Sequence, residues 1–382
     1  MKGIKIQRKY QRCTRCIMDT IADCNIVFDE NGECHHCKRY DKLLSSRVLS
    51  GEEGQWALQS LIVKIKAAGK GREYDCIIGV SGGVDSTYVA YLVKQLGLRP
   101  LAIHVDNGWN SELAVKNIER VLKNLGIDLF TCVLDWEEFR DLQIAFLKAS
   151  TPDGEIPTDH AIVATLWGEA TRRGIRYFIS GMNFATESIG VPDWSYGHTD
   201  WRYIKDVHRQ YGKVKLKTFP RITLPYLLLY VNLIRHIRTV SILNYVDYNK
   251  EQAMALLQNK LGWEYYGGKH HESIYTRFYQ GYILPRKFGV DKRYGHLSDL
   301  IKAGQLSRER ALEEIKQPPY PEEMQQQDIE YVCKKLCLSQ QQFESIMNAE
   351  IKSFRQFKNS FSTFESMRNT VNWFRHKGMY PR

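Results

Sequence analysis

Cys76-Ile77-Ile78-Gly79-Val80-Ser81-Gly82-Gly83-Val84-Asp85-Ser86-Thr87-Tyr88-Val89-Ala90-Tyr91-Leu92-Val93 is the stretch that decides the fold. An apolar run of strand length enters a two-glycine turn and leaves as a segment whose apolar positions recur at helical spacing. A strand that turns tightly into a helix aims unpaired backbone N–H groups, and the positive end of the helix dipole, at one point. Gly82 and Gly83 remove the Cβ atoms that would keep a phosphate from that backbone. Ser81 and Ser86 add hydroxyl donors, and Asp85 is a candidate Mg²⁺ ligand. A plain Ser/Gly-rich turn with Asp85 near the helix cap is the competing reading. The whole hexapeptide between its strand and its helix favours a nucleotide site. No Gly-Lys-Ser/Thr follows the glycines, so it is not a Walker A loop.

Outward from that turn, strand and helix alternate. Strands are predicted at Asp75–Val80, Pro100–Val105, Asp128–Val133 and Tyr177–Ser180. Helices are predicted at Ser86–Leu96 and Ser111–Leu125, with two more between Glu137 and Arg173. Buried β-rich runs separated by amphipathic helices predict an α/β fold, a doubly wound parallel sheet covered on both faces. Ligands of such sheets bind outside the carboxyl ends of the strands. The second strand ends in His104-Val105-Asp106-Asn107-Gly108-Trp109, the fourth in Ser180-Gly181-Met182-Asn183-Phe184-Ala185-Thr186-Glu187-Ser188. Thr158-Asp159-His160 opens a helix at the same rim, where His160 is a candidate for touching substrate.

Cys13-x2-Cys16 and Cys34-x2-Cys37 stand seventeen residues apart, the spacing of two knuckles that close one tetrahedral thiolate site. This predicts a small zinc ribbon whose folding depends on structural Zn²⁺. Cys24, His35 and His36 are spare potential ligands. Three regions are expected: a zinc-binding module at 1–45, an α/β domain carrying the nucleotide loop at 46–215, and a mainly helical substrate or partner region at 216–382.

The 382 residues are 43% hydrophobic and 25% charged, an ordinary composition that excludes a fibrous or disordered chain. No secretory leader is recognisable, so a cytoplasmic location is expected, and nine cysteines there mean metal rather than disulfides. The formal charge of +11 suits tRNA, an anionic membrane surface or a phosphorylated substrate. The apolar run from Ile222 to Ile234 is too short to span a bilayer. It is expected as a buried helix; a surface-seeking element flanked by Arg221, Arg235 and Arg238 is the alternative. Residues 312–382 read as helical, with Phe354, Phe357, Phe361, Phe364 and Trp373 as packing anchors.

The hexapeptide SGGVDS resembles the pyrophosphate loop of the N-type ATP pyrophosphatases, among them GMP synthetase, NAD synthetase and tRNA-thiolating enzymes. The resemblance implies an adenine nucleotide alpha hydrolase-like (HUP) fold and a shared chemistry. ATP transfers AMP to a substrate oxygen, pyrophosphate stays in the loop, and a nucleophile displaces AMP. It further implies that Ser81, Gly82, Gly83, Asp85 and Ser86 bind the nucleotide. Asp106 resembles an adenosine-side element of GMP synthetase, and Gly181 and Asn183 resemble the segment by which NAD synthetases position ATP. Glu187 would then share Mg²⁺ with Asp85; its alternative is an N-cap. In Gly267-Gly268-Lys269-His270-His271-Glu272-Ser273 the glycines suit a loop carrying cations. Lys269 is the candidate that neutralises charge as AMP is transferred, with a solvated surface lysine as its alternative. Lys292 and Arg293 resemble a further basic pair.

Taken together and in this order, the CxxC pairs, SGGVDS, HVDNGW, SGMNFATES, GGKHHES and FGVDKR resemble the N-acetyl sugar amidotransferases of bacterial surface-polysaccharide synthesis, the WbpG/PseA type, from about Cys13 to about Arg310. This implies conversion of the acetamido group of a UDP-linked sugar into an acetamidino group, with ATP, Mg²⁺ and Zn²⁺. The chain begins Met1-Lys2 and shows no Gly-x-Cys-x-Gly elbow, so ammonia is expected from a separate glutaminase. A barrel protein similar to the histidine-pathway synthase subunits would conduct it. A tRNA 2-thiolation enzyme is the main rival, favoured by charge but lacking a cysteine suitably placed beside the adenylate. Nucleic acid is therefore not the expected partner. A nucleotide sensor without chemistry is a third class.

Overall fold

A computed structural model describes residues 9–268 and 271–376. Five strands, β1 (Cys76–Gly79), β2 (Pro100–Asp106), β3 (Asp128–Val133), β4 (Tyr177–Ser180) and β5 (Arg238–Ser241), form one sheet in the order β3-β2-β1-β4-β5. Every pairing is parallel. The first four strands stand where the sequence predicts them. The fifth was not predicted: Arg-Thr-Val-Ser is too short to show a period, and it becomes a strand by pairing with β4.

Before the sheet come α1 (His35–Arg47) and α2 (Gly51–Ala68); within it, α3 (Val84–Gln95), α4 (Glu112–Leu125), α5 (Trp136–Ala149), α6 (Ile156–Arg173) and α7 (Trp201–Tyr211). After β5 follow α8 (Lys250–Leu261), α9 (Ile274–Phe278), α10 (Arg293–Lys302), α11 (Arg308–Lys316), α12 (Glu322–Leu336), α13 (Gln340–Asn348) and α14 (Phe361–His376). The caps are legible in sequence. Ser111 accepts from the Ala114 N–H to start α4, and Gly126 ends it at φ +58°.

Successive strand residues point to opposite faces, so the sheet has two cores. Ile78, Ala102 and Ile179 pack with Val89, Ile118 and Leu257 of α3, α4 and α8. Ile77, Leu101 and Ile103 pack on the other face with Leu166 and Ala170 of α6. The central strands are thus covered on both sides, whereas β3 at the edge is largely exposed, with Leu129 and Val133 open to solvent. Strand order reverses between β1 and β4, which opens a crevice at their carboxyl ends.

Two expectations fail. The apolar run is a π-helical segment, Tyr226–Ile234, with Val231 buried but Leu229, Leu233 and Ile234 exposed by 56%, 63% and 63%. Helix periodicity from sequence identifies an apolar run but not whether another element covers it. Trp373 is exposed rather than a packing anchor, whereas Phe357 is buried and Phe354 stacks on Tyr196. Among the described residues no helix is long and apolar enough to cross a membrane.

Candidate functional site

The SGGVDS turn joins β1 to α3. Gly82 sits at φ +82°, and a Cβ there would lie 2.7 Å from the Ala114 carbonyl oxygen. Both conformation and space therefore demand glycine. Gly83 caps α3, and a Cβ on it would meet Ser81 Oγ, Glu272 Oε1 and the Tyr266 hydroxyl at 3.1–3.3 Å. The turn is a cradle lined by main chain, polar on every side, which fits a phosphate group. In this state the Gly83 N–H donates to Ser81 Oγ (3.3 Å) and the Val84 N–H to the Tyr266 hydroxyl (3.2 Å). Ser86 Oγ lies 3.2 Å from Ser81 Oγ and donates to the Gly83 carbonyl.

Across the crevice, the end of β4 closes on the start of α3. A Cβ on Gly181 would be 3.3 Å from Ser86 N and from the Asp85 carbonyl carbon. Asn183 is buried, and its Oδ1 accepts from the Thr186 N–H and hydroxyl, both at 2.9 Å. Its amide nitrogen is buried with no hydrogen-bond partner, a donor available at the crevice. Tyr248 donates its hydroxyl to Asp85 Oδ1. Burial, then the negative charges of Asp85 and Glu187, push the Tyr248 hydroxyl far above its ordinary value. This buried phenol therefore holds Asp85, feels the charge of Glu187 as well, and stays protonated.

Asp106 and Asn107 make turn bonds: Asp106 Oδ1 accepts from the Gly108 N–H and Asn107 Oδ1 from the Trp109 N–H. Asn107 also donates to Thr158 Oγ1 at the start of α6 (3.2 Å), joining two loops of the rim. The Nδ1–H tautomer of buried His104 donates to the Val80 carbonyl, leaving Nε2 to accept from Asn110.

One bordering stretch, of which residues 263–268 and 271–273 are described, lies beside the loop. Trp263 Nε1–H donates to the Gly82 carbonyl (2.9 Å), and Asn117 of α4 takes both the N–H and carbonyl of Glu264. At its other end Ser111 N–H donates to the Glu272 carbonyl and Ile274 N–H to that of Trp109. Trp263, Tyr266, Asn117 and Tyr248 were missed from sequence. The aromatic run before Gly267 was the only visible signal, and nothing in its spacing points to the loop. Lys269, the predicted cation, lies outside the described residues.

Other candidates are placed elsewhere. His160 is fully buried; its Nδ1 donates to the His198 carbonyl and its Nε2 accepts from the Ile222 N–H. It supports the backbone and cannot reach substrate. Lys292 pairs with Glu155 (2.9 Å), which also accepts from Gln280. Arg293 holds Asp291 and the Gln317 carbonyl.

The four cysteines Cys13, Cys16, Cys34 and Cys37 are buried, with sulfurs 3.7–4.0 Å apart and unbonded to each other. Metal–sulfur bonds of about 2.3 Å at tetrahedral angles require sulfurs about 3.8 Å apart, so the set fits Zn²⁺. The Cys16 and Cys34 N–H groups donate to Cys13 Sγ at 3.5 and 3.2 Å, as donors to a thiolate would. Cys24, His35 and His36 stand outside the four-sulfur group. The cluster is tied to the crevice. Trp194 packs against it and donates to the Ala22 carbonyl, while Asn25 donates to Asp193. In α10, Asp299 accepts from Ser188 Oγ (2.5 Å) and the Ile189 N–H (2.9 Å), just beyond Glu187. Lys302 pairs with Asp299 at 2.7 Å and lies over the Tyr40 ring of the cysteine module at 4.6 Å.

Residues 59–140 match the NAD synthase family, and residues 272–368 match the family of LPS biosynthesis protein WbpG-like C-terminal domains. An uncharacterised protein of Methanocaldococcus jannaschii, MJ1599, is 24% identical over 262 residues, 67% of this chain and 77% of its own. Two shorter likenesses cover small parts of both partners. A tRNA(Ile)-lysidine synthase of Chlamydia pneumoniae is 34% identical over 17% of this chain and 21% of its own. A glutamine-hydrolysing GMP synthase of Pyrobaculum aerophilum is 40% identical over 18% and 14%. The chain thus joins a region that matches the NAD synthase family, around the SGGVDS loop, to a region behind it that matches the WbpG-like C-terminal domains.

Proposed function

We propose that this protein is an ATP-dependent amidotransferase that converts the acetamido group of a nucleotide-linked sugar into an acetamidino group for bacterial surface polysaccharide, in the cytoplasm. One observation carries the reading: the two matched regions meet at a single rim. Glu272, the first residue of the WbpG-like region, stands beside Gly83 of the loop, and its carbonyl accepts from Ser111 at 2.9 Å. A segment that recognises the acceptor and a loop that recognises the nucleotide then border one crevice.

ATP supplies the activation: the amide oxygen takes AMP, pyrophosphate leaves, and ammonia then displaces AMP at the same carbon. The chain's part is electrostatic. Gly82 and Gly83 let the backbone approach phosphate, and the N–H groups now held by Ser81 and Tyr266 are the donors it would receive. Asp85 and Glu187 would hold Mg²⁺, with Tyr248 fixing Asp85. The four thiolates would hold Zn²⁺, a closed coordination sphere with a structural role. Ammonia would come from a separate glutaminase through a barrel protein, as the family resemblance implies.

The test is to incubate the full chain with ATP, Mg²⁺, ammonium and UDP-acetamido sugars and follow products by mass spectrometry. Acetamidino sugar with matching AMP and pyrophosphate is expected, and Asp85→Asn should abolish AMP while leaving fold and zinc content intact. ADP as product, or AMP release driven by tRNA instead of sugar, would overturn the proposal.

A further inference from the structure

The forty residues from Val207 to Val246 contain four arginines, three lysines and no aspartate or glutamate, so they carry +7 of the chain's formal +11. Inside this stretch lies the π-helical segment Tyr226–Ile234. A π-helix advances about 4.4 residues per turn, so Leu229, Leu233 and Ile234 share one side. That side is exposed, although it belongs to the most apolar stretch of the sequence. Isolated exposed leucines are ordinary, but a contiguous cluster is not.

The rim of the cluster is aromatic and cationic. Tyr226 and Tyr230 stack at 5.2 Å, and Arg235 lies 5.4 Å over the Tyr230 ring while donating to its hydroxyl. Arg235 and Arg238 are both exposed. Beneath the segment, α6 shares a core with Val231, and its Glu169 is already held by Arg172 and Arg173.

We propose that this face docks the protein peripherally on an anionic lipid surface. The leucines would enter the acyl boundary, tyrosines would sit at headgroup level, and guanidinium groups would meet the phosphates. A nucleic acid would use the cations and leave the leucines in water. Placement in the fold is compatible. Ile237 N–H donates to the Val231 carbonyl, and Arg238 pairs with Tyr177, the first residue of β4. The segment therefore ends at the amino edge of the sheet, whereas the SGGVDS loop leaves the carboxyl edge. Docking would keep the nucleotide crevice open.

Vesicle co-sedimentation of the full chain tests this, using phosphatidylcholine alone and phosphatidylcholine mixed with phosphatidylglycerol. Binding is expected only to the anionic vesicles and should weaken with salt. A Leu229→Ser/Leu233→Ser/Ile234→Ser variant should lose at least about tenfold in affinity. Replacing Arg235 and Arg238 with serine should lose about 25-fold, on the order of fivefold for each charge. Thermal melting of both variants should match the parent, because every changed side chain is exposed. Equal binding to neutral vesicles, no loss in the serine variants, or a dimer that dissociates when the leucines are replaced would overturn the proposal. So would tRNA binding that needs the arginines when vesicle binding does not.

Discussion

Asp299 and Lys302 form a buried ion pair with side chains 3% and 0% exposed, and no sequence motif marks it. Asp299→Ala would leave the Lys302 ammonium buried beside Ser188 Oγ at 2.9 Å and the Tyr40 ring, without its ion-pair partner. Stranding a buried charge in this way costs about 3–5 kcal/mol. Lys302→Met should cost less, about 1–3 kcal/mol, because Asp299 keeps the Ser188 hydroxyl and Ile189 N–H as donors. Asp299→Ala combined with Lys302→Met leaves no buried charge and should recover at least about 2 kcal/mol relative to the summed single costs. Urea unfolding of the four proteins at neutral pH measures the cycle. Each single variant should also raise KM for ATP, since Ser188 and Ile189 follow Glu187 directly. Additive single costs, or singles within about 0.5 kcal/mol of the parent, would refute the claim that this pair pins the Glu187 segment to the cysteine module.

Three further outcomes are expected. Burial holds His160 down to about 4, so between pH 6.5 and 4 the unfolded chain takes a proton that the folded one refuses. Stability should fall by up to about 3 kcal/mol as pH drops through that window, and His160→Gln should flatten the slope in pH-dependent melts. Cys34→Ser should lower bound zinc, measured by elemental analysis, from one per chain toward none and depress Tm, because Trp194 and Ala22 pack on the cluster. Tyr248→Phe removes the donor to Asp85 and should slow AMP release about 10- to 100-fold, the equivalent of losing one hydrogen bond to a charged group, with zinc content unchanged.

Much of the crevice was legible because its parts are local. A strand, two glycines and a helix specify the cradle within eleven residues, and C-x2-C pairs specify four converging sulfurs. What escaped was built by distant residues. Tyr248 reaches Asp85 across 163 positions, and Trp263 reaches Gly82 across 181. Aromatic side chains of this kind look like core in any sequence. His160 failed in the opposite sense: its position at a helix start suggested the rim, but both ring nitrogens are consumed by backbone groups.

Backbone conformation and short-range spacing are properties of a few neighbouring residues, so the sequence alone determined the parallel α/β core, the two-glycine turn between β1 and α3 and the four-cysteine set. Tertiary packing alone decided that Arg238–Ser241 is a strand, that Tyr248 holds Asp85, and that Leu229, Leu233 and Ile234 remain uncovered. Each of those outcomes depends on which surfaces meet across the chain. Hydrophobicity and periodicity carry no record of that, because burial belongs to a pair of elements and not to either one.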